Sequence, residues 1–123
     1  MKIIFDNHIT VDQKSEHLTE IFEGELTKRA DKFWLIFENT DHEKVLLKFN
    51  EKELMMVRYG DFPTTMRYRE NELTHNAYQG LGEIEIFTHY YEFTADKVIL
   101  HYTMSQADLE LGTYKLEITY SEG

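Results

Sequence analysis

The sequence predicts an all-β domain, a sandwich or barrel of about nine or ten short antiparallel strands. Three observations point there. Apolar and polar residues alternate along most of the chain, the period of a strand with one buried face. Turn-forming clusters recur at spacings of about 8–12 residues. Aromatic residues are plentiful, with eight Phe, eight Tyr and one Trp, and these suit a half-buried pleated surface. No βαβ pattern appears, which argues against a parallel sheet.

The elements follow in order. Ile3, Phe5, Ile9 and Val11 share one parity and predict a first strand over about 2–11, with a turn at Asp12-Gln13-Lys14-Ser15. Glu16 to Arg29 reads two ways. Leu18, Ile21, Phe22 and Leu26 have helical spacing, whereas Leu18, Phe22, Gly24 and Leu26 share a strand parity, and Gly24 weakens a helix interior. After the corner Arg29-Ala30-Asp31-Lys32, the run Phe33-Trp34-Leu35-Ile36-Phe37 is apolar on both faces and predicts a strand covered on its outer side as well. Asn39-Thr40-Asp41-His42 turns the chain. Val45, Leu47 and Phe49 predict the next strand, and Leu54 to Tyr59 another after the turn Asn50-Glu51-Lys52. Gly60-Asp61 ends it. Phe62-Pro63 opens a strand in which Thr64, Met66 and Tyr68 alternate with Thr65, Arg67 and Arg69; proline is tolerated at such a start. A short strand over about Thr74 to Gln79 follows the turn Glu70-Asn71-Glu72.

The stretch Gly82 to Met104 then reads as a hairpin. Ile84, Ile86, Thr88 and Tyr90 form one face, and Val98, Leu100, Tyr102 and Met104 form the matching face across the corner Thr94-Ala95-Asp96-Lys97. Placing both sets on one side predicts Thr94 opposite Val98 and Tyr90 opposite Tyr102. In the last strand Leu109 and Leu111 have odd parity, while Tyr114, Leu116, Ile118 and Tyr120 have even parity. A β-bulge at Gly112 would turn both sets inward.

Several of these landmarks carry a resemblance. In order, they are Gly24 in a long second strand, Phe37-Glu38 at the end of the third, Arg58-x-Gly60, Met66 with Tyr68, and Gly82-x-Ile84-x-Ile86-x-Thr88. Val98-x-Leu100-x-Tyr102-x-Met104 and Leu116-x-Ile118-x-Tyr120 complete the set. Across about residues 16–120 they resemble the YwiB-like family of bacterial domains of unknown function. The resemblance implies a single up-and-down β-barrel similar to the lipocalin/streptavidin (calycin) fold, and it implies a strand for Glu16–Arg29. The family tends to carry Tyr and then Thr-Pro before the Gly82 strand. Here Tyr78 sits one residue nearer and Gln79-Gly80-Leu81 replaces Thr-Pro, so that corner is expected to differ.

The bulk numbers bound the function. At 123 residues the chain is one domain, 1–123, with a single core. Thirteen Lys and Arg against 23 Asp and Glu give a net charge of −10, which repels phosphate and argues against nucleic acid or an anionic membrane as partner. There is no cysteine, so thiol nucleophiles, disulfides and cysteine zinc sites are excluded. Asp6 interrupts the amino-terminal apolar run too early for a signal peptide, and Phe33–Phe37 is too short to span a bilayer. A cytoplasmic location is the expectation.

No catalytic constellation is expected. Ser15, Ser105 and Ser121 lack a nucleophile-elbow context, and Glu83 with Glu85 reads as a solvated face. None of His8, His17, His42, His75, His89 and His101 forms a recognised metal motif; His89 and His101 are the pair expected to lie close, facing outward. Neither metal nor cofactor is predicted. The candidate ligand-binding residues are Arg58, Tyr68, Thr88, Tyr90, Tyr102 and Met104. Arg58 shares parity with Leu54 and Met56, so it is expected to point inward, where a guanidinium holds a carboxylate or phosphate or closes one barrel end structurally. The hydroxyls would orient a ligand in an apolar cavity or be satisfied within a filled core. Trp34 is expected in the core or as a plug of the barrel floor.

Three functions compete: a non-enzymatic cytoplasmic barrel that binds a small, partly apolar molecule, a protein-interaction or structural module acting through its acidic surface, and an enzyme. The first is the leading expectation. Ligand identity, protein partners and oligomeric state are not written in the sequence.

Overall fold

The computed structural model describes residues 1–78 and 82–122. Among the described residues ten strands run in chain order: β1 (Lys2–Val11), β2 (Lys14–Arg29), β3 (Lys32–Glu38), β4 (Lys44–Phe49), β5 (Glu53–Arg58), β6 (Thr64–Arg69), β7 (Leu73–Tyr78), β8 (Gly82–Phe93), β9 (Lys97–Gln106) and β10 (Leu109–Ser121). Each pairs antiparallel with the next, and β1 pairs with β10, closing an up-and-down barrel. Closure removes most of the free edges that an open sheet would expose; the first part of β2, ahead of its ladder with β3 at Gly24, pairs with β1 alone. Glu16–Arg29 is strand throughout, as the resemblance implied and periodicity left open.

The landmark glycine of β2 has a steric reason. A Cβ at Gly24 would collide with the Ile36 carbonyl oxygen across the β2–β3 ladder and come within 2.7 Å of Ile3 Cδ1. Only glycine lets β1, β2 and β3 approach this closely, and Ile3 fills the space as a fully buried side chain.

Inward side chains fill the barrel along its length, among them Leu35, Leu47, Leu54, Ile86, Leu100 and Ile118. One end is sealed by aromatic rings. Phe49 lies 5.9 Å from Phe33, 5.9 Å from Phe93 and 5.8 Å from Tyr120, centroid to centroid. Tyr91 completes the seal, its hydroxyl within hydrogen-bond reach of the Asn50 and Glu53 carbonyls that flank the β4–β5 turn.

Trp34 is not that plug. It stands half-buried on the outer face of β3, between the Arg29 guanidinium at 4.2 Å and the Lys48 ammonium at 4.3 Å from its ring centroid. Outward parity on β3 and two flanking cations explain the position: the cations cover the ring and gain cation–π attraction while staying wet.

The hairpin register also differs from the expectation. Thr94 does not face Val98; its backbone N–H donates to the Lys97 carbonyl, and Phe93 pairs with Val98. A β-bulge between Thr88 and Tyr90 absorbs one residue. Thr88, not Tyr90, therefore faces Tyr102, and Tyr91 turns inward while Tyr90 turns out. The bulge in β10 lies where the parity break placed it, between Glu110 and Gly112. It brings Leu111 against the core but leaves Leu109 exposed.

The β6–β7 seam is sparse in backbone pairing, with Thr64 opposite Tyr78 its sole register pair among the described residues. Side chains close the rest. Asn76 Oδ1 accepts from the Arg67 backbone N–H at 2.8 Å, and Thr74 Oγ1 donates to the Arg67 carbonyl at 2.7 Å. Asn76 is buried, so its amide stands in for a missing ladder rung.

Candidate binding site at the Arg58 end of the barrel

Opposite the aromatic seal, β5 and β6 meet in the turn that follows Arg58. Arg58 pairs with Thr64 in the ladder, and its Nη2 donates to Thr64 Oγ1 at 3.2 Å. Its Nε lies 3.6 Å from Glu43 Oε1. Glu43 is itself positioned: Asn39 Nδ2 donates to its carboxylate at 3.2 Å, and Asn39 Oδ1 accepts from its backbone N–H at 2.9 Å. A Cβ at Gly60 would strike Glu43 Oε2. The Arg58-x-Gly60 pattern is thus one arrangement, in which glycine leaves room for the carboxylate that holds the guanidinium.

Met56, Arg58, Thr64 and Met66 line a hollow of about 60 Å³ here. Both methionines are apolar and flexible, and the guanidinium and the threonine hydroxyl supply the polar wall. Deeper in, the Tyr68 hydroxyl donates to Met66 Sδ at 3.3 Å, linking the hollow to the interior. The Tyr68 ring meets the Tyr102 ring edge-on at 4.7 Å, and Tyr102 stacks on Tyr114 at 4.9 Å and 14°. Burial pushes the Tyr102 phenol far above its ordinary range, against the opposing effect of its hydrogen bond with Tyr68. Burial raises the Tyr91 phenol in the same way. Both hydroxyls stay protonated at neutral pH, and that of Tyr91 donates to backbone carbonyls.

The structure brings some predicted residues together and separates others. Tyr68, Thr88 and Tyr102 are buried in the interior, with Thr88 directly across the ladder from Tyr102. The Thr88 hydroxyl is buried without a hydrogen-bond partner among the described residues. Met104 lies farther along β9, opposite Ile86 and against the core. Arg58 reaches the hollow, whereas Tyr102 is not among the side chains lining it. Tyr90 is corrected: it is 39% exposed on the outer wall, beside His101, and cannot line an interior site. Glu43, Met56, Thr64 and Met66 were missed as site residues. Met66 and Thr64 shared the inward parity already visible, but Glu43 sits in a turn where parity says nothing. The corner Gln79-Gly80-Leu81, expected to depart from the family, lies outside the described residues.

One group of metal-ligating side chains lies away from this end. Asp6, His8 and His17 project from the outer face of the β1–β2 ladder, with His17 Nε2 hydrogen-bonded to Asp6 Oδ1. That bond holds the Asp6 carboxyl below its usual range.

Against solved structures, the chain matches the crystal structure of the ywiB protein from Bacillus subtilis with a TM-score of 0.84 at 20% identity, covering 99% of this chain and 90% of that one. At that identity the likeness establishes the barrel and nothing of its chemistry. Curated proteins yield no match. Among protein families, residues 3–118 match the domain of unknown function DUF1934. The fold, the span of the match and the ordered landmarks from Gly24 to Tyr120 agree, and the chain belongs to the DUF1934 family.

Proposed function

We propose that the barrel is a non-enzymatic, cytoplasmic binder of a small, partly apolar molecule that carries a carboxylate or similar acceptor, taken up at the Arg58 end. The observation that carries this reading is the pairing of a guanidinium and a hydroxyl with two methionines around one hollow at an end of a closed barrel. Barrel mouths are frequent ligand sites, and a few polar groups on an apolar wall orient what binds. The tyrosine-filled interior supports a ligand confined to this end rather than one threaded through the barrel. At about 60 Å³ the hollow is well below the roughly 300–1,000 Å³ of drug-sized pockets. Uptake therefore requires Met56 and Met66 to swing aside, which their three rotatable bonds permit. An aqueous setting fits the outer wall, where Glu25, Lys48, Arg67, Glu85 and Glu117 interrupt any apolar band a lipid-facing barrel would need.

Native mass spectrometry of protein purified from its own host tests this. A small-molecule adduct is expected, and Met66→Trp, which fills the hollow, is expected to abolish it. Protein free of any adduct, with no rise in Tm in a screen of apolar carboxylates, overturns the reading, as does an adduct that survives Met66→Trp.

A second reading, a protein-interaction module, has its own observation. Among the described residues, Lys14–Glu23 of β2 pair with β1 alone, leaving one edge of that strand open. Leu18 and Ile21 on this stretch are 43% and 60% exposed. Such an edge is a template for strand addition. Salt-sensitive capture of one basic protein, lost on Ile21→Lys, would favour it over the ligand reading.

A further inference from the structure

We propose that Asp6, His8 and His17 form a site for a borderline divalent transition ion, of the Zn²⁺, Ni²⁺ or Cu²⁺ class, on the outer face of the β1–β2 hairpin. The arrangement follows from the backbone. The hairpin turns at Asp12-Gln13, both with positive φ, and that two-residue loop sets His8 directly opposite His17. Asp6 stands two residues before His8 and so emerges on the same face. Three side chains with the right donor atoms are thereby placed in adjoining positions of one ladder.

Their geometry suits an ion. The donor atoms of the three residues all lie within 4.8 Å of one another. Metal–ligand bonds of about 2.0–2.2 Å in a tetrahedral site put ligand atoms about 3.3 Å apart, so an ion would draw them in modestly. All three side chains are at least partly open to solvent and can rotate that far. The imidazoles of His8 and His17 stack, with centroids 4.1 Å apart and 9° between planes, and an ion held by both turns them out of the stack so that their in-plane lone pairs converge. The His17–Asp6 hydrogen bond marks the line along which a metal replaces a proton. Thr19 Oγ1 donates at 3.3 Å to the same Asp6 Oδ1 that His17 meets and so helps to fix the carboxylate, as hydrogen bonds to ligating carboxylates do at metal sites.

The surroundings leave one side of the site open. A surface trough of about 180 Å³ borders Asp6 and His8 and is walled by Ile99, His101, Lys115, Leu116 and Glu117. Lys115 pairs with His8 across the β1–β10 ladder, and Glu117 pairs with Asp6. Their charges oppose each other, so Asp6 leaves the immediate surface net negative. Two imidazoles and one carboxylate select borderline ions over Mg²⁺ or Ca²⁺, which prefer all-oxygen shells. Three protein ligands beside open solvent leave a coordination position for water or a small ligand.

The test titrates Zn²⁺ and Ni²⁺ into chelator-treated full-length protein by calorimetry, with two-dimensional NMR of the histidine ring nitrogens recorded in parallel. One ion per chain is expected. His8→Ala, His17→Ala and Asp6→Asn should each weaken binding by about tenfold or more, and Thr19→Val by up to about tenfold. His75→Ala, on a different wall, should leave affinity unchanged. In the NMR arm only the His8 and His17 rings should shift at one equivalent. Wild-type affinity in His17→Ala overturns the site. So does equal loss in His75→Ala, or shifts spread over all six histidines. Each variant's circular dichroism and Tm establish that it is folded.

Discussion

At the residue scale Tyr68 and Tyr91 on one side and Thr88 on the other make opposite statements about buried polarity. The Tyr91 hydroxyl is met by backbone carbonyls and Tyr68 by a thioether, whereas the Thr88 hydroxyl is fully buried with no partner among the described residues. An unmet buried hydroxyl costs about 1–3 kcal/mol. Thr88→Val keeps the shape and removes the cost, so urea denaturation should show it more stable than wild type by about 1 kcal/mol. A loss of stability would mean that water or a ligand satisfies the hydroxyl. The phenols of Tyr91 and Tyr102 are raised, chiefly by burial. Their contribution is intact below the unfolded value near 10.0 and is lost as pH climbs from there towards the higher folded value, because the unfolded chain then releases protons that the folded one keeps. Stability should therefore fall above about pH 10 by roughly 1.4 kcal/mol per pH unit for each buried phenol. Tyr102→Phe should make the slope shallower, and an unchanged slope would count against burial as the cause. These pairings were only partly legible in sequence. Tyr68, Thr88 and Tyr102 could be placed inside by parity. Tyr90 could not be excluded, because nothing local in Thr88-His89-Tyr90 announces a bulge that shifts every later side chain to the other face.

At the scale of elements, most strands were readable because a closed barrel gives nearly every strand one wet and one dry face. Glu16–Arg29 was the exception, since much of it extends beyond the β2–β3 ladder and is exposed on both faces; without a buried face, period two fades. The parity break at Gly112 exposed its bulge because the apolar residues on both sides were unambiguous. The His8–His17 pairing was hidden by the turn. A four-residue turn over 12–15 leaves the two residues unrelated, and only the two-residue loop at Asp12-Gln13 makes them partners. The β6–β7 seam carries an element-scale prediction. Asn76→Ala removes the acceptor of the Arg67 N–H and leaves that donor without its rung. Stability should drop by about 2 kcal/mol, and hydrogen exchange at the Arg67 amide should accelerate by more than the common increase that the lower global stability gives to amides of the β1–β10 ladder. Unchanged exchange at Arg67 would show that backbone pairing, not Asn76, closes the seam.

For the whole molecule, closure itself sets the folding problem. Every neighbouring pair of strands is local in sequence except one: β1 joins β10, with Lys2 opposite Ser121 and Thr10 opposite Thr113. Hairpins can form early at small entropic cost, but the last ladder must bring the two ends of the chain together, and loop closure of that length is costly before its contacts repay it. The interior is shared by all ten strands, so none of the hairpins buries its inward face until the ring is shut. Refolding is therefore expected in milliseconds to seconds, the range of all-β barrels, with the single non-local ladder as the slow step. Ile3 sits at the closing seam, fully buried, against the space that Gly24 leaves open. Ile3→Ala should cost about 2–5 kcal/mol by removing buried apolar volume. If closure follows the transition state, nearly all of that loss appears as faster unfolding, with the refolding rate in stopped-flow experiments almost unchanged. If instead β1–β10 pairing nucleates folding, Ile3→Ala slows refolding in proportion to the stability lost, and the hairpin-first order is wrong.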